Sequence, residues 1–301
     1  MNRQPFPGRI LGSDRVNAYP RAAIWLGTFL GAICALLFAA QARASDKTGR
    51  LTEEFHQTYT LAADGRVQLE NINGSVHITA WDRNEVKVDA VKSANSQERL
   101  DEAKIQVDAR QDHISIRTEY PQHDHTFNNN GWNNPASVEY TLMVPRNARL
   151  DEINLINGGL DLTGIGGEVR ASCINGSLNA QGLVGRAKLS TINGRLEAQF
   201  ERLSGPPIEL SSVNGSVALT LPSDAKAELE ASTVHGGISN EFGLRVDDHR
   251  WVGHDLRGEL GGGGTRINLN NVNGKIEIRH AADGRAMSPA KDLSQRDDDE
   301  I

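Results

Sequence analysis

Between residues 51 and 146, apolar side chains recur at every second position and short polar turns separate the runs. An alternation of period two is typical of β-strands with one buried face. Residues 96–104 are the one stretch with helical composition, and it is short. The alternating apolar positions are Val67 and Leu69; Val76, Ile78 and Ala80; Val86, Val88 and Ala90; Ile105 and Val107; Ile114 and Ile116; and Val138, Tyr140, Leu142 and Val144.

The second half of the chain repeats a three-residue phrase, in which Ile or Val is followed by Asn-Gly. The intervals between the central residues are 18, 18, 21, 21 and 38, the last close to two periods. A near-constant interval indicates one supersecondary unit that is copied and stacked. The corner pairs are Asn157-Gly158, Asn175-Gly176, Asn193-Gly194, Asn214-Gly215, the variant His235-Gly236, and Asn273-Gly274.

This repeat predicts an all-β fold, a β-solenoid or β-helix of short strands with Asn-Gly corners over residues 150–281. Residues 45–149 would form a β-rich part that caps it. Asn and Gly both tolerate positive φ, which suits a sharp corner. In a solenoid the rungs stack in parallel about 4.7–4.9 Å apart, so that Asn side chains can form a ladder. The alternative is an antiparallel meander in which each Asn-Gly closes a hairpin.

Apolar residues hold fixed positions on both sides of the corner. Ile or Val precedes it and Leu, Ile or Val follows it three residues later, as in Ile174 and Leu178. We expect both columns to face a common core, with small polar residues such as Ser177 between them pointing outward.

The first 44 residues have the anatomy of a secretory signal. Arg9, Arg15 and Arg21 precede an apolar run over 22–40, and Ala42-Arg43-Ala44 follows it. We predict cleavage between Ala44 and Ser45, which places the mature chain in the periplasm or on the cell surface. The alternative is an uncleaved anchor helix over 22–40, which is long enough to span a bilayer. At the other end, residues 282–301 predict a disordered acidic tail.

Charge and cysteine content narrow the classes of partner. Loss of residues 1–44, which carry five Arg and one Asp, changes the net charge from −7 to −11. An acidic chain of this kind disfavours nucleic acid and, once the signal is cleaved, anionic membranes as partners. Cys173 is the one cysteine beyond the signal, so no disulfide can form within the mature chain. We expect it to be buried.

Residues 73–92 (NGSVHITAWDRNEVKVDAVK), residues 140–164 and the repeated INGSL-type corners resemble the bacterial putative adhesin family, a domain of unknown function in many envelope proteins. The resemblance spans about residues 69–278. It implies a β-helical domain outside the cytoplasm with a binding role. Related domains beside envelope-stress systems imply a regulatory role as an alternative. The family brings no catalytic residues.

One polar loop, between Pro121 and Pro135, offers a candidate ligand site. His123, Asp124 and His125 supply too few ligands for a metal by themselves, and with Trp132 they could contact a sugar. A polar loop without a ligand is the alternative.

Asp161 and Glu197 lie two repeats apart, about 9–10 Å on a stack, at the upper edge of the separation in inverting glycosidases. No cleft-forming insertion flanks them, so an enzyme acting on polysaccharides is the least favoured function. We assign no catalytic, cofactor or metal residue.

The sequence therefore predicts an exported, non-catalytic binding or scaffold module of the cell envelope. Its partner would be an envelope protein or a glycan. A regulatory module in envelope-stress signalling, acting by protein contact, is the alternative.

Overall fold

The computed structural model describes residues 50–121, 135–248 and 253–293. The signal segment with Ala44 and Ser45, the loop residues His123, Asp124, His125 and Trp132, and residues 294–301 lie outside this part of the chain. The described strands are β1 (Leu51–Thr60), β2 (Arg66–Asn73), β3 (Val76–Trp81), β4 (Glu85–Ala94), β5 (Lys104–Ala109), β6 (His113–Glu119), β7 (Ser137–Pro145), β8 (Arg149–Asn157), β9 (Leu160–Thr163), β10 (Val169–Asn175) and β11 (Leu178–Leu183). They continue with β12 (Ala187–Asn193), β13 (Leu196–Phe200), β14 (Ile208–Asn214), β15 (Val217–Leu221), β16 (Ala227–His235), β17 (Ile238–Asn240), β18 (Asp247–Asp248), β19 (His254–Leu260), β20 (Thr265–Asn273), β21 (Ile276–His280) and β22 (Ala290–Asp292).

The all-β prediction is confirmed. The helix α1 (Gln97–Glu102) falls inside the stretch with helical composition, and the side chain of Ser96 caps it by accepting a hydrogen bond from the Arg99 backbone N–H. Such a cap satisfies one of the amide groups that a helix leaves unpaired at its start.

The strands form two mixed sheets. The first has the order β1-β4-β7-β3-β9-β11-β13-β15-β21-β17, and the second has the order β18-β19-β16-β20-β14-β12-β10-β8-β2-β6-β5, with β22 paired to β19. Each corner joins a strand of the second sheet to a strand of the first. Neighbouring copies pair in parallel and in register, as Asn175 with Asn193 and Leu178 with Leu196. The antiparallel meander is therefore wrong for the repeats. Both sheets are open and end on edge strands.

The core lies between the two sheets and is built from columns of aliphatic side chains. The column that follows the corners, in the first sheet, is fully buried at Val76, Leu160, Leu178, Leu196, Val217 and Ile276. Leu69, Ile153, Leu189, Leu210 and Leu269 of the second sheet are buried as well. Because stacked copies place like residues above one another, these columns fill the space at close-packed density with little need for large rings.

The order of the copies in space differs from their order in the chain. In space the corner residues follow the order Asn73, Asn157, Asn175, Asn193, Asn214, Asn273, His235. Ile72-Asn73-Gly74 is thus a further copy, and the last copy, β20–β21, lies between β14–β15 and β16–β17. In the described residues of the 38-residue interval, the strand β19 pairs antiparallel with β16 and does not form a further parallel rung.

The connection from β15 to β16 passes the rung formed by β20 and β21. Hydrogen bonds attach it to the residues that follow β21. The Ser223 hydroxyl donates to the Ala281 carbonyl at 2.6 Å, and the Ser223 amide donates to Asp283 Oδ2 at 3.2 Å.

Part of the predicted disordered tail is ordered. Residues 282–293 include β22, and the Gly261 amide donates to the Pro289 carbonyl at 2.9 Å. The reason is the unpaired edge of β19, which offers backbone partners that a low apolar content does not reveal. The prediction of disorder is therefore wrong for these residues.

The corner glycines are required by close approach. A Cβ on Gly176 would lie 1.9 Å from the carbonyl oxygen of Gly158, and one on Gly194 would lie 2.2 Å from that of Gly176. Among the described residues other than glycine, only Glu152 has positive φ, so the corners do not use the tolerance of Asn for positive φ. The glycine leaves room for the neighbouring rung.

We expect Gly176→Ala to lower the free energy of unfolding by about 1–3 kcal/mol, because the new methyl group overlaps the backbone of the next rung. The φ of Gly176 lies outside the left-handed range, so strain in φ does not contribute. Gly159→Ala is the matched control, since its Cβ would find its nearest contact at 3.7 Å. Urea unfolding measures both variants, and equal midpoints would contradict the overlap.

Candidate functional site

The residue before each corner Asn points into solvent. In the described part of the chain nine large hydrophobic side chains are exposed, and seven of them occupy this one position, each 37–43% exposed. In spatial order they are Ile72, Ile156, Ile174, Ile192, Val213, Val272 and Val234, here called the aliphatic column. The expectation that this column faces the core is wrong. At the corner the chain turns from one sheet to the other, and both this residue and the Asn after it lie on the outside of the bend.

The corner Asn side chains bind one another along the same edge. Nδ2 of each donates to Oδ1 of the Asn in the preceding rung, and the series is here called the Asn ladder. The distances are 3.0 Å from Asn157 to Asn73, 2.9 Å from Asn175 to Asn157, 2.9 Å from Asn193 to Asn175, 3.0 Å from Asn214 to Asn193, and 2.9 Å from Asn273 to Asn214. At the next rung His235 replaces Asn, and the ladder stops.

Below the corners a column of buried polar side chains supports the glycines. Thr191 Oγ1 donates to the Gly176 carbonyl at 3.2 Å, and Asn271 Nδ2 donates to the Gly215 carbonyl at 2.8 Å. Thr233 makes the same contact to the Gly274 carbonyl, while Asn71 Nδ2 donates to the Gly74 carbonyl of its own corner at 3.0 Å and to the Val138 carbonyl at 2.9 Å. These bonds satisfy carbonyl groups at the close-packed corner, where an unpaired group would be costly.

Cys173 occupies the same column. Burial raises the pKa of its thiol to about 12, so it stays protonated and unreactive at neutral pH. Its burial agrees with the sequence-based expectation.

The surface that borders the aliphatic column is nearly neutral. Of fourteen flanking positions, seven on each side, only Glu70, Arg195 and Lys275 carry charge. The others are Ser, Asn or Gly: Asn154, Ser172, Ser190, Ser211, Asn270 and Ser232 on one side, and Ser75, Gly159, Ser177, Ser216 and Gly237 on the other. An acidic chain thus presents a neutral, apolar edge.

An open groove of about 610 Å³ lies at one end of the column, lined in part by Ile72, Ile156 and Tyr120. Arg117 Nε contacts Glu70 Oε2 at 2.8 Å along the same groove. The Tyr120 hydroxyl donates to the Ala136 carbonyl at 2.8 Å, and burial raises its pKa to about 12. This end of the column therefore combines apolar and hydrogen-bonding groups.

The carboxylates considered for glycoside hydrolysis are not arranged as an acid and a base. Asp161 and Glu197 lie two rungs apart in register, as the sequence predicts. Asp161 Oδ2 pairs with His77 Nδ1 at 2.9 Å, and Glu197 Oε1 pairs with Arg195 at 3.0 Å. Both side chains are partly exposed, and each is engaged with a basic side chain of its own or a neighbouring rung.

A second cluster has the composition of a catalytic triad but not its geometry. Ser223 Oγ lies 3.2 Å from His280 Nδ1, and His280 Nε2 lies 4.0 Å from Glu241. Ser223 is buried and donates its hydroxyl proton to the Ala281 carbonyl. The cluster fastens two chain segments and cannot reach a substrate.

Within residues 50–121, 135–248 and 253–293 no three His, Cys, Asp or Glu side chains are grouped so that they could hold a metal ion. None of the helical structure in these ranges has the length and apolar character needed to cross a bilayer.

Sequence reasoning missed the outward direction of the aliphatic column and the buried polar column. A signal for the second was present: Thr191, Ser212 and Thr233 all stand two residues before the corner, at an inward position of the alternation. A polar residue repeated at an inward position predicts hydrogen bonds between copies. Thr191 and Thr233 make them, whereas the buried Ser212 hydroxyl has no partner within the described residues.

No protein-family model matches the chain, and neither does any curated protein sequence. Among solved structures the chain is similar to a putative cell adhesion protein from Clostridium sporogenes, with 13% identity and a TM-score of 0.44 over 76% of this chain and 100% of that one. It is also similar to a putative adhesin from Bacteroides fragilis, with 10% identity and a TM-score of 0.36 over 76% and 97% of the two chains. A putative lipid binding protein from Parabacteroides distasonis matches with 8% identity and a TM-score of 0.27 over 76% and 96%. Two of these structures are described as a putative cell adhesion protein and a putative adhesin, which is the description of the family that the sequence motifs resemble. At these identities the matches do not define a ligand.

We expect Asn193→Asp to lower the free energy of unfolding by about 1–3 kcal/mol at neutral pH. The carboxylate can still accept from Asn214, but it cannot donate to Asn175 Oδ1, and it places two acceptors face to face. Asn154→Asp is the control, because Asn154 Oδ1 accepts from the Ser172 hydroxyl at 2.7 Å and a carboxylate can do the same. Chemical denaturation compares them, and equal losses of stability would argue against the ladder.

Proposed function

We propose that this chain is an exported, non-catalytic binding or scaffold module of the cell envelope, built as a β-solenoid-like stack. The contact surface is the edge formed by the aliphatic column and the Asn ladder. One observation carries the proposal: seven of the nine exposed large hydrophobic side chains of the described residues stand in one line. Scattered apolar residues on a surface need no explanation, but a contiguous apolar patch marks an interaction site.

The rigidity of the edge supports a binding role. Each corner is held by backbone pairing, by an amide of the Asn ladder and, in several rungs, by a buried donor such as Thr191. A surface that is already ordered loses little conformational entropy on binding, so more of the contact energy appears as affinity.

The chemistry of the edge favours a neutral, apolar partner surface. The aliphatic column offers methyl groups and no aromatic ring, which suits an envelope protein better than a sugar. The regulatory alternative would use the same edge for protein contact. A glycan partner remains the other outcome of the binding experiment.

The test compares two double variants in binding of the purified chain to envelope proteins and to a glycan array. Ile174→Lys with Ile192→Lys should abolish binding, because two charges interrupt the aliphatic column at its middle. Gln181→Lys with Gln199→Lys adds the same charge to the same rungs on the exposed outer face of the first sheet. It should bind like the unmodified chain. Equal binding by both variants would contradict the proposed edge, provided that their urea midpoints agree.

Export gives an independent prediction. The protein recovered from cells that produce the full chain should begin at Ser45, as measured by intact mass and N-terminal sequencing, and should fractionate with the periplasm or the cell surface. Retention of residues 22–40 with inner-membrane fractionation would instead support the anchored, regulatory alternative.

A further inference from the structure

The Asn-Gly corners carry a reactive pair of groups that the fold holds apart. In an Asn-Gly sequence the glycine amide nitrogen can attack Cγ of the preceding Asn side chain. A bond forms between that nitrogen and Cγ, and the side-chain amide leaves as ammonia with the displaced proton. The resulting succinimide ring adds one water molecule and opens to Asp or isoaspartate. Glycine favours this reaction because it leaves its nitrogen unhindered and its backbone free to turn.

In the described structure every corner Asn-Gly pair has its glycine nitrogen engaged. Each glycine amide donates to a carbonyl in the next rung, always on the side toward His235. The bonds run from Gly74 to Asn157, from Gly158 to Asn175, from Gly176 to Asn193, from Gly194 to Asn214 and from Gly215 to Asn273 at 2.9–3.0 Å, and from Gly274 to His235 at 2.8 Å. A nitrogen that donates to a fixed carbonyl is not available for attack.

This protection has a direction, because parallel rungs all point the same way. Loss of the rung at the β6–β7 end would leave the Gly74 amide bound to Asn157. At the other end, β17 is the edge strand of the first sheet, and β19 covers β16 only as far as Thr233. Opening of the corner at His235 would therefore free the amide of Gly274. A stack of repeats opens most readily from its ends, so opening exposes Asn273-Gly274 before any other corner.

Asn273 is also the least restrained side chain of the ladder. Its Nδ2 donates to Asn214, but within the described ranges no side chain donates to its Oδ1, since His235 stands in the next rung. The other ladder residues from Asn73 to Asn214 accept from an Asn neighbour.

We propose that Asn273 is the first of the corner Asn residues to deamidate in the folded protein and that the corners from Asn73 to Asn214 react only after the rungs beyond them open. Each conversion replaces an amide donor by a carboxylate, which breaks the ladder at that rung. Deamidation of the corners thus proceeds from the His235 end of the stack.

The residue at the terminal corner fits this proposal. In the part of the chain that the structure describes, no carbonyl accepts from the Gly236 amide. An Asn at position 235 would therefore stand beside an unengaged glycine nitrogen in the folded state. His235 has no side-chain amide to lose and avoids the reaction.

The test follows deamidation of the full chain by peptide mass mapping in heavy-oxygen water at mildly alkaline pH. In the folded protein Asn273 should convert about tenfold or more faster than Asn193, since its corner needs only the end rung to open. In urea, where no rung protects a corner, the rates should converge. Equal rates in the folded protein, or Asn73 converting first, would overturn the proposal.

His235→Asn provides the second measurement. Its corner at position 235 should convert faster than Asn273 in the same molecule, because no opening is required. Asn193 in that variant serves as the internal control and should keep its slow rate. A corner at position 235 as slow as Asn193 would overturn the proposal. Circular dichroism and the urea midpoint establish that the variant is folded.

Discussion

Successive corners approach so closely that the carbonyl oxygen of one glycine occupies the space that a Cβ on the next would need. This contact sets the geometry of the whole edge. It admits glycine alone, it brings the corner Asn amides within hydrogen-bonding distance, and it places the carbonyls where Thr191 and Asn271 can donate to them from below. The repeated Asn-Gly pair therefore reflects a packing constraint between copies more than the conformation of one turn.

The aliphatic column is a consequence of the same stacking. Once Asn175 and Asn193 lie in register, Ile174 and Ile192 must lie in line as well, whichever direction they face. Repetition alone gives a straight row, but it does not require that the row be apolar. Serine fills the neighbouring positions Ser172 and Ser190. A serine or asparagine at positions 174 and 192 would be equally compatible with stacking, because water would satisfy its hydrogen bonds. The choice of Ile and Val there is what points to a partner.

Periodicity was sufficient to predict strands, corners and the core column at Leu178 and Leu196, and composition indicated the short helix. It was insufficient for the direction of Ile174, because a bend shifts the alternation by one residue and places two successive side chains outside. It was also insufficient for the order of the copies, since spacing along the chain does not say which copy pairs with which. The copy at Asn73 was hidden by its distance of 84 residues from Asn157, which β3 to β7 occupy.

The position of the last copy couples completion of the edge to completion of the chain. Val272 stands between Val213 and Val234, Asn273 is the last residue of the Asn ladder, and the Gly274 amide binds the final corner at His235. Without β20 and β21, the strands β16 and β17 would lose the parallel partners that join them to the rest of the stack, and the column would be interrupted. The C-terminal copy must therefore fold between two rungs that precede it in sequence. The same copy contains the Asn273-Gly274 corner, and only one rung, the one with His235, lies beyond it. The segment that completes the edge is therefore also the one where deamidation would begin.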